Sequence, residues 1–288
     1  MLIVGETPMN ARKNQKHTRI GIEMVRKLFE EGKRIFTIAD ARKAASYCGM
    51  TDSYVIEALH HLSNTGWLTR LKRGLYVIST SFPGMTPIHE FEIAMALVQP
   101  SAISHWSALH FHGMTEQIPQ RVYITTTQPV PISRAMKIRN KSQRSFSREI
   151  NGIFYEFIKI KPERYFGIKD FWIGEVKVTI TDPERTLIDG LISPKHFGDW
   201  AEIYSAFESH LSSLDLVKMV DYSLRLDAVI SKRLGWIMEK VGVEDIILRR
   251  LEAVPIKGFR VLDSTGPRKG TYNKRWMIQE NLPGRMTK

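Results

Sequence analysis

Three helical patterns followed by two short strands occupy residues 1–80, and this order restricts the fold more than any other feature of the chain. The segment 20–32 has apolar residues at helical spacing and ends at a glycine. A second, Ala-rich helix is predicted after Thr37, which stands three residues before Asp40 as in a capping box. The third helix is predicted at 51–66, between capping residues and another glycine.

A strand pair completes this region. The segment "WLTRLKRGLYVIS" (67–79) alternates around Gly74, which tolerates the positive φ of a hairpin turn. Because three helices and a hairpin form the element order of a winged helix-turn-helix, we predict a DNA-binding domain of this kind at 1–80. The segment "SFPGMTP" (81–87) then breaks the helical pattern with two prolines and predicts a domain boundary.

The third helix has an apolar and a polar face when 100° is assigned to each residue. The angle predicts four buried residues: Val55, Ala58, Leu59 and Leu62. Small polar side chains on the opposite face of such a helix can bond base edges in the major groove. We predict that this face and its flanks contact DNA through six residues: Ser53, Tyr54, Glu57, His60, His61 and Asn64.

Basic residues are concentrated in blocks within a chain of net charge +12. Residues 121–148, for example, hold seven basic side chains and no acidic one. Clustered cations bind polyanions by exchanging condensed counterions for phosphate contacts. We predict contacts to phosphates or in a minor groove from the hairpin and from the segment before the first helix, and a second DNA contact from the basic connection: Arg70, Lys72, Arg73, Arg12, Lys13, Lys16, Arg19, Arg134, Lys137, Arg139, Lys141 and Arg144.

Residues 86–288 mix helical and strand patterns, which predicts an α+β chain with a curved sheet flanked by helices in its second domain. Within it, "TDPERTLIDG" (181–190) has a local structural explanation, since Asp182 can cap a helix and Arg185 can pair with Asp189 at i,i+4. The single Cys48 and the lack of an apolar run of membrane-spanning length predict a cytoplasmic protein without a membrane partner.

Three histidines in "ISHWSALHFHG" (103–113) raise the possibilities of a metal site, a general base or a packed helix end. A zinc-binding helix presents its ligands at i and i+4. His105 and His110 are five residues apart, and His110 and His112 are two apart. The spacing favours a packed helix end that stops at Gly113, and we predict no metal, no cofactor and no catalytic residue.

Glu175 and Lys177 leave one enzymatic alternative open, because their E-x-K spacing occurs in magnesium-dependent nucleases. Such a site also needs a carboxylate from a neighbouring strand. Asp170 is the nearest candidate, but it is only five residues upstream and is not predicted to lie on another strand. The alternative function is therefore a winged-helix protein whose second domain is a metal-dependent nuclease.

Three segments together carry a family resemblance. The hairpin "GWLTRLKRGLYVI" (66–78), "ISHWSALHFHGMTEQIPQRVYITT" (103–126) and "VTITDPERTLIDGL" (178–191) resemble, in this order, the AbiEi family. The resemblance implies an antitoxin and transcriptional autorepressor of a type IV, or abortive infection, toxin–antitoxin system. It also implies binding to inverted repeats in the promoter and antagonism of an AbiEii-like nucleotidyltransferase toxin without a stable complex. The chain lacks the G-S and D-x-D motifs of the toxin itself.

Overall fold

The computed structural model of the chain describes residues 21–80, 86–129 and 145–282. The chain divides into two compact units, one up to Leu97 and one from Val98 onward. This division falls after the helix at Glu90–Leu97, later than the proline-rich segment at 81–87 from which the boundary was predicted. The predicted class is confirmed, since the chain is α+β with a helical N-terminal region and a sheet-containing second unit.

The N-terminal unit consists of helices packed on a small sheet. All three antiparallel strands belong to one sheet of order β1-β3-β2. The sequence reasoning missed β1, because three residues are too few to show the two-residue period of a strand. The elements are α1 (helical residues 21–30), β1 (Ile35–Thr37), α2 (Ile38–Tyr47), α3 (Asp52–Asn64), β2 (Leu68–Lys72), β3 (Leu75–Ile78) and α4 (Glu90–Leu97).

The predicted capping box at the start of α2 is confirmed. The Asp40 amide donates to the Thr37 hydroxyl at 3.2 Å, and the Thr37 amide donates to the Asp40 carboxylate at 2.9 Å. The Lys33 ammonium donates to the same carboxylate at 2.6 Å. These hydrogen bonds, that from Lys33 foremost, lower the pKa of Asp40 to about 2. The Asp40 carboxylate and the Thr37 hydroxyl therefore each satisfy one backbone donor that the start of a helix leaves without a partner.

The Asp40→Asn variant should lose about 1 kcal/mol of unfolding free energy at pH 7, the size of one capping interaction. Because the pKa of Asp40 is lowered in the folded state, its stabilisation is present above about pH 4 and disappears as the pH falls towards 2. The measurement is urea denaturation followed by an amide NMR signal of α2, at pH 7 and at pH 2.5. Glu30→Gln, at an exposed ion pair of 4.0 Å, is the control. An equal loss at both pH values would contradict the prediction.

The C-terminal unit is built on a six-stranded mixed sheet of order β6-β7-β5-β4-β9-β8. Its pairs β5–β7 and β4–β9 are parallel, and the others are antiparallel. No helix of the described ranges is long and apolar enough to cross a bilayer. The elements are β4 (Ser101–Ile103), α5 (His105–Phe111), β5 (Arg121–Thr126), β6 (Ser145–Ile150), β7 (Ile153–Lys159), β8 (Ile168–Ile173), β9 (Val176–Thr181), α6 (Pro183–Ile192), α7 (Trp200–His210), α8 (Leu216–Leu224), α9 (Ala228–Lys240) and α10 (Asp245–Glu252).

A second, three-stranded sheet ends the described chain. Its strands β10 (Arg260–Val261), β11 (Thr271–Asn273) and β12 (Ile278–Glu280) have the order β10-β12-β11. One side of this sheet packs on the helices through the fully buried Trp276 and Ile278. Trp276 lies so close to Gly235 of α9 that a Cβ added at Gly235 would overlap its ring. The small sheet is therefore part of the core of the C-terminal unit.

Candidate nucleic-acid interface

Helix α3 has the two faces that its sequence predicts. The four apolar residues are buried, whereas Ser53, Glu57, His60 and Asn64 are exposed. The predicted flanking residues Tyr54 and His61 are half-buried. Four exposed side chains of short or medium length thus follow one side of the helix, which is the arrangement that can enter a major groove.

His60 and Asn64 form a pair at the C-terminal end of this face. Their Nε2 and Nδ2 atoms are 3.1 Å apart. An amide nitrogen can only donate, so the His60 Nε2 accepts and its Nδ1 carries the proton. The pair therefore presents one ring N–H donor and one amide carbonyl acceptor, which can bond a base edge or a phosphate.

Helix α2, which precedes α3, contributes cations that the sequence reasoning missed. Arg42 and Lys43 are exposed on α2, whose buried side consists of three alanines. The first helix of a helix-turn-helix crosses the DNA backbone, so these cations are candidates for phosphate contacts. The Ala-rich pattern of α2 was the available signal, because it assigns the intervening basic residues to the exposed side.

The hairpin β2–β3 is here called the wing, and its three basic residues have different roles. Arg70 and Arg73 are exposed, and Gly74 takes the expected positive φ of 77°. The Lys72 ammonium instead donates to the carbonyl oxygens of Leu97 at 2.8 Å and Ala96 at 3.4 Å. These carbonyls end α4, where a cation is favourable. Lys72 therefore holds α4 within its own unit, a role different from the predicted phosphate contact.

All nine of the other basic residues predicted to contact DNA lie outside the described residues: Arg12, Lys13, Lys16, Arg19, Arg134, Lys137, Arg139, Lys141 and Arg144. The described start of the basic connection is partly used within its own unit. There, Arg121 pairs with Glu156 at 3.6 Å and donates to the Ser147 hydroxyl at 3.3 Å. These contacts make Arg121 a weaker candidate for a phosphate than the exposed arginines of the wing.

The three histidines of the segment 103–113 have different surroundings. The His105 Nδ1 lies 2.8 Å from the Ser104 hydroxyl, and burial, with Arg185 and Lys195 nearby, lowers the pKa of His105 to about 3. The His112 Nε2 donates to the Thr181 carbonyl oxygen at 2.7 Å, whereas His110 is exposed. The segment is a packed helix, α5, that stops at the predicted glycine.

The possible nuclease residues are placed by the hairpin β8–β9. Asp170 lies on β8, the strand paired with β9, which the sequence did not predict. Asp170 stands opposite Thr179. Thr179 is four residues beyond Glu175, a separation of about 13 Å along an extended chain. Lys177 pairs with Asp170 at 2.8 Å. Among the described residues no group of three His, Cys, Asp or Glu side chains is arranged to hold a metal ion.

The segment "TDPERTLIDG" forms the structural cluster that its sequence predicts. Asp182 caps α6 by accepting from the Arg185 amide at 2.8 Å, and the Arg185 guanidinium pairs with Asp189 at 2.9 Å. The sequence reasoning missed two partners from α8. The Lys218 ammonium and the Tyr222 hydroxyl both donate to the Asp182 carboxylate, at 2.8 and 2.9 Å. The Asp182 carboxylate thereby joins α6 to α8.

Comparisons with known proteins support the domain identified from these features. A crystal structure of the RV2827C protein from Mycobacterium tuberculosis has a similar fold, with a TM-score of 0.66, 12% sequence identity and 90% of each chain covered. No curated protein matches the chain. Residues 23–79 match the family model described as a transcriptional regulator, AbiEi antitoxin. This match covers the winged-helix region and supports its resemblance to AbiEi antitoxin transcriptional regulators.

Proposed function

We propose that this chain represses its own operon by binding inverted repeats in the promoter as double-stranded DNA. The observation that carries the proposal is the exposed polar face of α3, which lies within the family-matched residues 23–79. In this proposal α3 enters the major groove, where Asn64 and Glu57 contact base edges. The exposed Arg70 and Arg73 contact phosphates, which positions the domain without selecting a sequence.

The second part of the proposal is that the chain is the antitoxin against an AbiEii-like nucleotidyltransferase toxin. The family match supports the regulator and antitoxin role. We propose that the C-terminal unit provides the antagonism in the cytoplasm without catalysis of its own and without a stable complex with the toxin. Co-expression tests this role, since the full-length chain should restore growth to cells that produce the toxin. Failure of a soluble full-length chain to do so would exclude the antitoxin role.

The Asn64→Ala variant tests the role of α3. It should bind the promoter fragment about tenfold more weakly and a scrambled duplex of equal length unchanged, because a lost base contact costs about 1–3 kcal/mol of discrimination. Fluorescence anisotropy at one salt concentration measures both affinities. Gln120→Ala, which truncates an exposed amide outside α3, is the matched control. Equal weakening on both duplexes would mean that Asn64 does not contact a base, and unchanged binding would remove it from the interface.

A further inference from the structure

The small sheet β10-β12-β11 has a second side that the core does not use. Tyr272 of β11 and Val261 of β10 both stand opposite Gln279 of the central strand, so the three share one side. Ile278, the neighbour of Gln279, points to the opposite side and is fully buried. The side that carries Tyr272 therefore faces away from the core of the C-terminal unit.

Two exposed aromatic rings meet on this side. The centroids of Phe259 and Tyr272 are 4.8 Å apart, with an angle of 63° between the rings. The two residues are 39% and 60% exposed. The Gln279 amide donates to the Tyr272 hydroxyl at 3.4 Å, which places the pair above the central strand. Flat, exposed rings of this kind are surfaces on which nucleic-acid bases stack without sequence preference.

Basic residues flank the two rings in the chain. Four exposed ones among them pair with no carboxylate within the described ranges: Lys257, Arg268, Lys269 and Lys274. Arg275 differs, because Glu239, Asp245 and Glu252 surround its guanidinium. One cation of this region is thus bound by carboxylates, whereas four remain available to phosphates.

Hydrogen bonds to the Asn281 side chain fix the loop that carries Arg268 and Lys269. The buried Asn281 side chain accepts from the Asp263 amide at 2.8 Å. It also donates to the carbonyl oxygens of Asp263 at 2.8 Å and Pro267 at 3.0 Å. A loop ordered in this way does not lose further backbone freedom when its cations bind a ligand. The two loop cations are therefore carried by a loop of defined conformation, four and three residues before Tyr272 in the chain.

We propose that these two rings and four cations, here called the aromatic–cation face, bind single-stranded nucleic acid. Bases stack on Phe259 and Tyr272, and the cations contact the phosphates on either side. A duplex keeps its bases stacked on one another, so it cannot use the rings in this way. This site goes beyond the proposed function, because it lies in the C-terminal unit and takes a different form of nucleic acid from that proposed for α3.

The test measures the binding of fluorescein-labelled 20-nucleotide uridine and thymidine strands to the full-length chain by anisotropy. The wild type should bind, and the double variant Phe259→Ala, Tyr272→Ala should bind at least about tenfold more weakly. Trp172→Ala removes a ring of β8 that is 70% exposed, and it should change nothing. The promoter duplex should bind the double variant as it binds the wild type, which separates this site from α3. Tighter binding of the uridine strand would assign the site to RNA, and of the thymidine strand to single-stranded DNA.

A second variant removes charge while it leaves the rings. The triple variant Lys257→Gln, Lys269→Gln, Lys274→Gln is used. Its slope of log K against log salt for single-strand binding should be lower by about 2, at roughly 0.7 per phosphate contact. The proposal is overturned if the wild type binds neither strand. It is also overturned if the ring variant, with an unchanged urea midpoint, keeps its single-strand affinity. If the ring variant does not fold, the charge variant decides, and an unchanged slope overturns the proposal.

Discussion

Replacing Asp182 by Ala should lower the unfolding free energy of the C-terminal unit by about 3–5 kcal/mol, the cost of removing one partner of a buried ion pair. Asp182 is 1% exposed, and its carboxylate accepts from the Arg185 amide, the Tyr222 hydroxyl and the Lys218 ammonium. The substitution removes the cap of α6 and leaves donors from α8 without this acceptor. It therefore acts on the contact between two helices of the core.

The electrostatics of the cluster agree with this expectation. Burial first, and then the hydrogen bond to Asp182, raise the pKa of Tyr222 to about 12. The pKa of Lys218 is also raised, because its hydrogen bonds to Asp182 and Glu184 outweigh the opposing effect of burial. Both donors thus keep their protons throughout the physiological range. Their loss of the Asp182 carboxylate is expected to destabilise the unit at any pH near neutrality.

Asp170→Ala is the matched control, because Asp170 also binds a lysine ammonium at 2.8 Å but is 47% exposed. An exposed pair of this kind contributes about 0–1 kcal/mol. Urea denaturation followed by tryptophan fluorescence measures both variants, since five of the six tryptophans lie after residue 97. Equal losses in the two variants would contradict the role given to burial.

The double variant Arg70→Ala, Arg73→Ala should weaken promoter binding by about tenfold or more at physiological salt. Both arginines are exposed on the wing, and in the proposed function they contact phosphates. Two lost phosphate contacts should lower the slope of log K against log salt by about 1.8, at roughly 0.9 per contact. Fluorescence anisotropy at salt concentrations between about 50 and 200 mM measures this slope.

Lys72→Ala provides the comparison within the same hairpin. Its ammonium caps α4, so the variant should lose stability in the N-terminal unit by about 1 kcal/mol and keep the wild-type salt slope. If Lys72→Ala lowers the slope as much as each arginine does, the ammonium leaves α4 to bind phosphate. An unchanged slope in the arginine variant would exclude the wing from the interface.

Local patterns in the chain were enough to predict the parts of the fold that depend on neighbouring residues. The capping box of Thr37 and Asp40 and the cap of α6 at Asp182 were both predicted and are both present. The buried face of α3 followed from the helical period alone. A helix cap and a helix face join residues three or four positions apart, so their geometry is already contained in the order of the side chains.

Contacts between distant segments were decided only by the tertiary structure. Nothing near Lys72 in the chain indicates that its ammonium binds carbonyls 24 and 25 residues later. Asp170 joined Lys177 because a hairpin register, which the pattern did not specify, brought them together. Phe259 directly precedes β10, and Tyr272 lies on β11. The two rings meet because β10 and β11 both pair with β12, which follows them in the chain. Strand order and register arise from the packing of the whole unit, and a periodic pattern in one segment does not contain them.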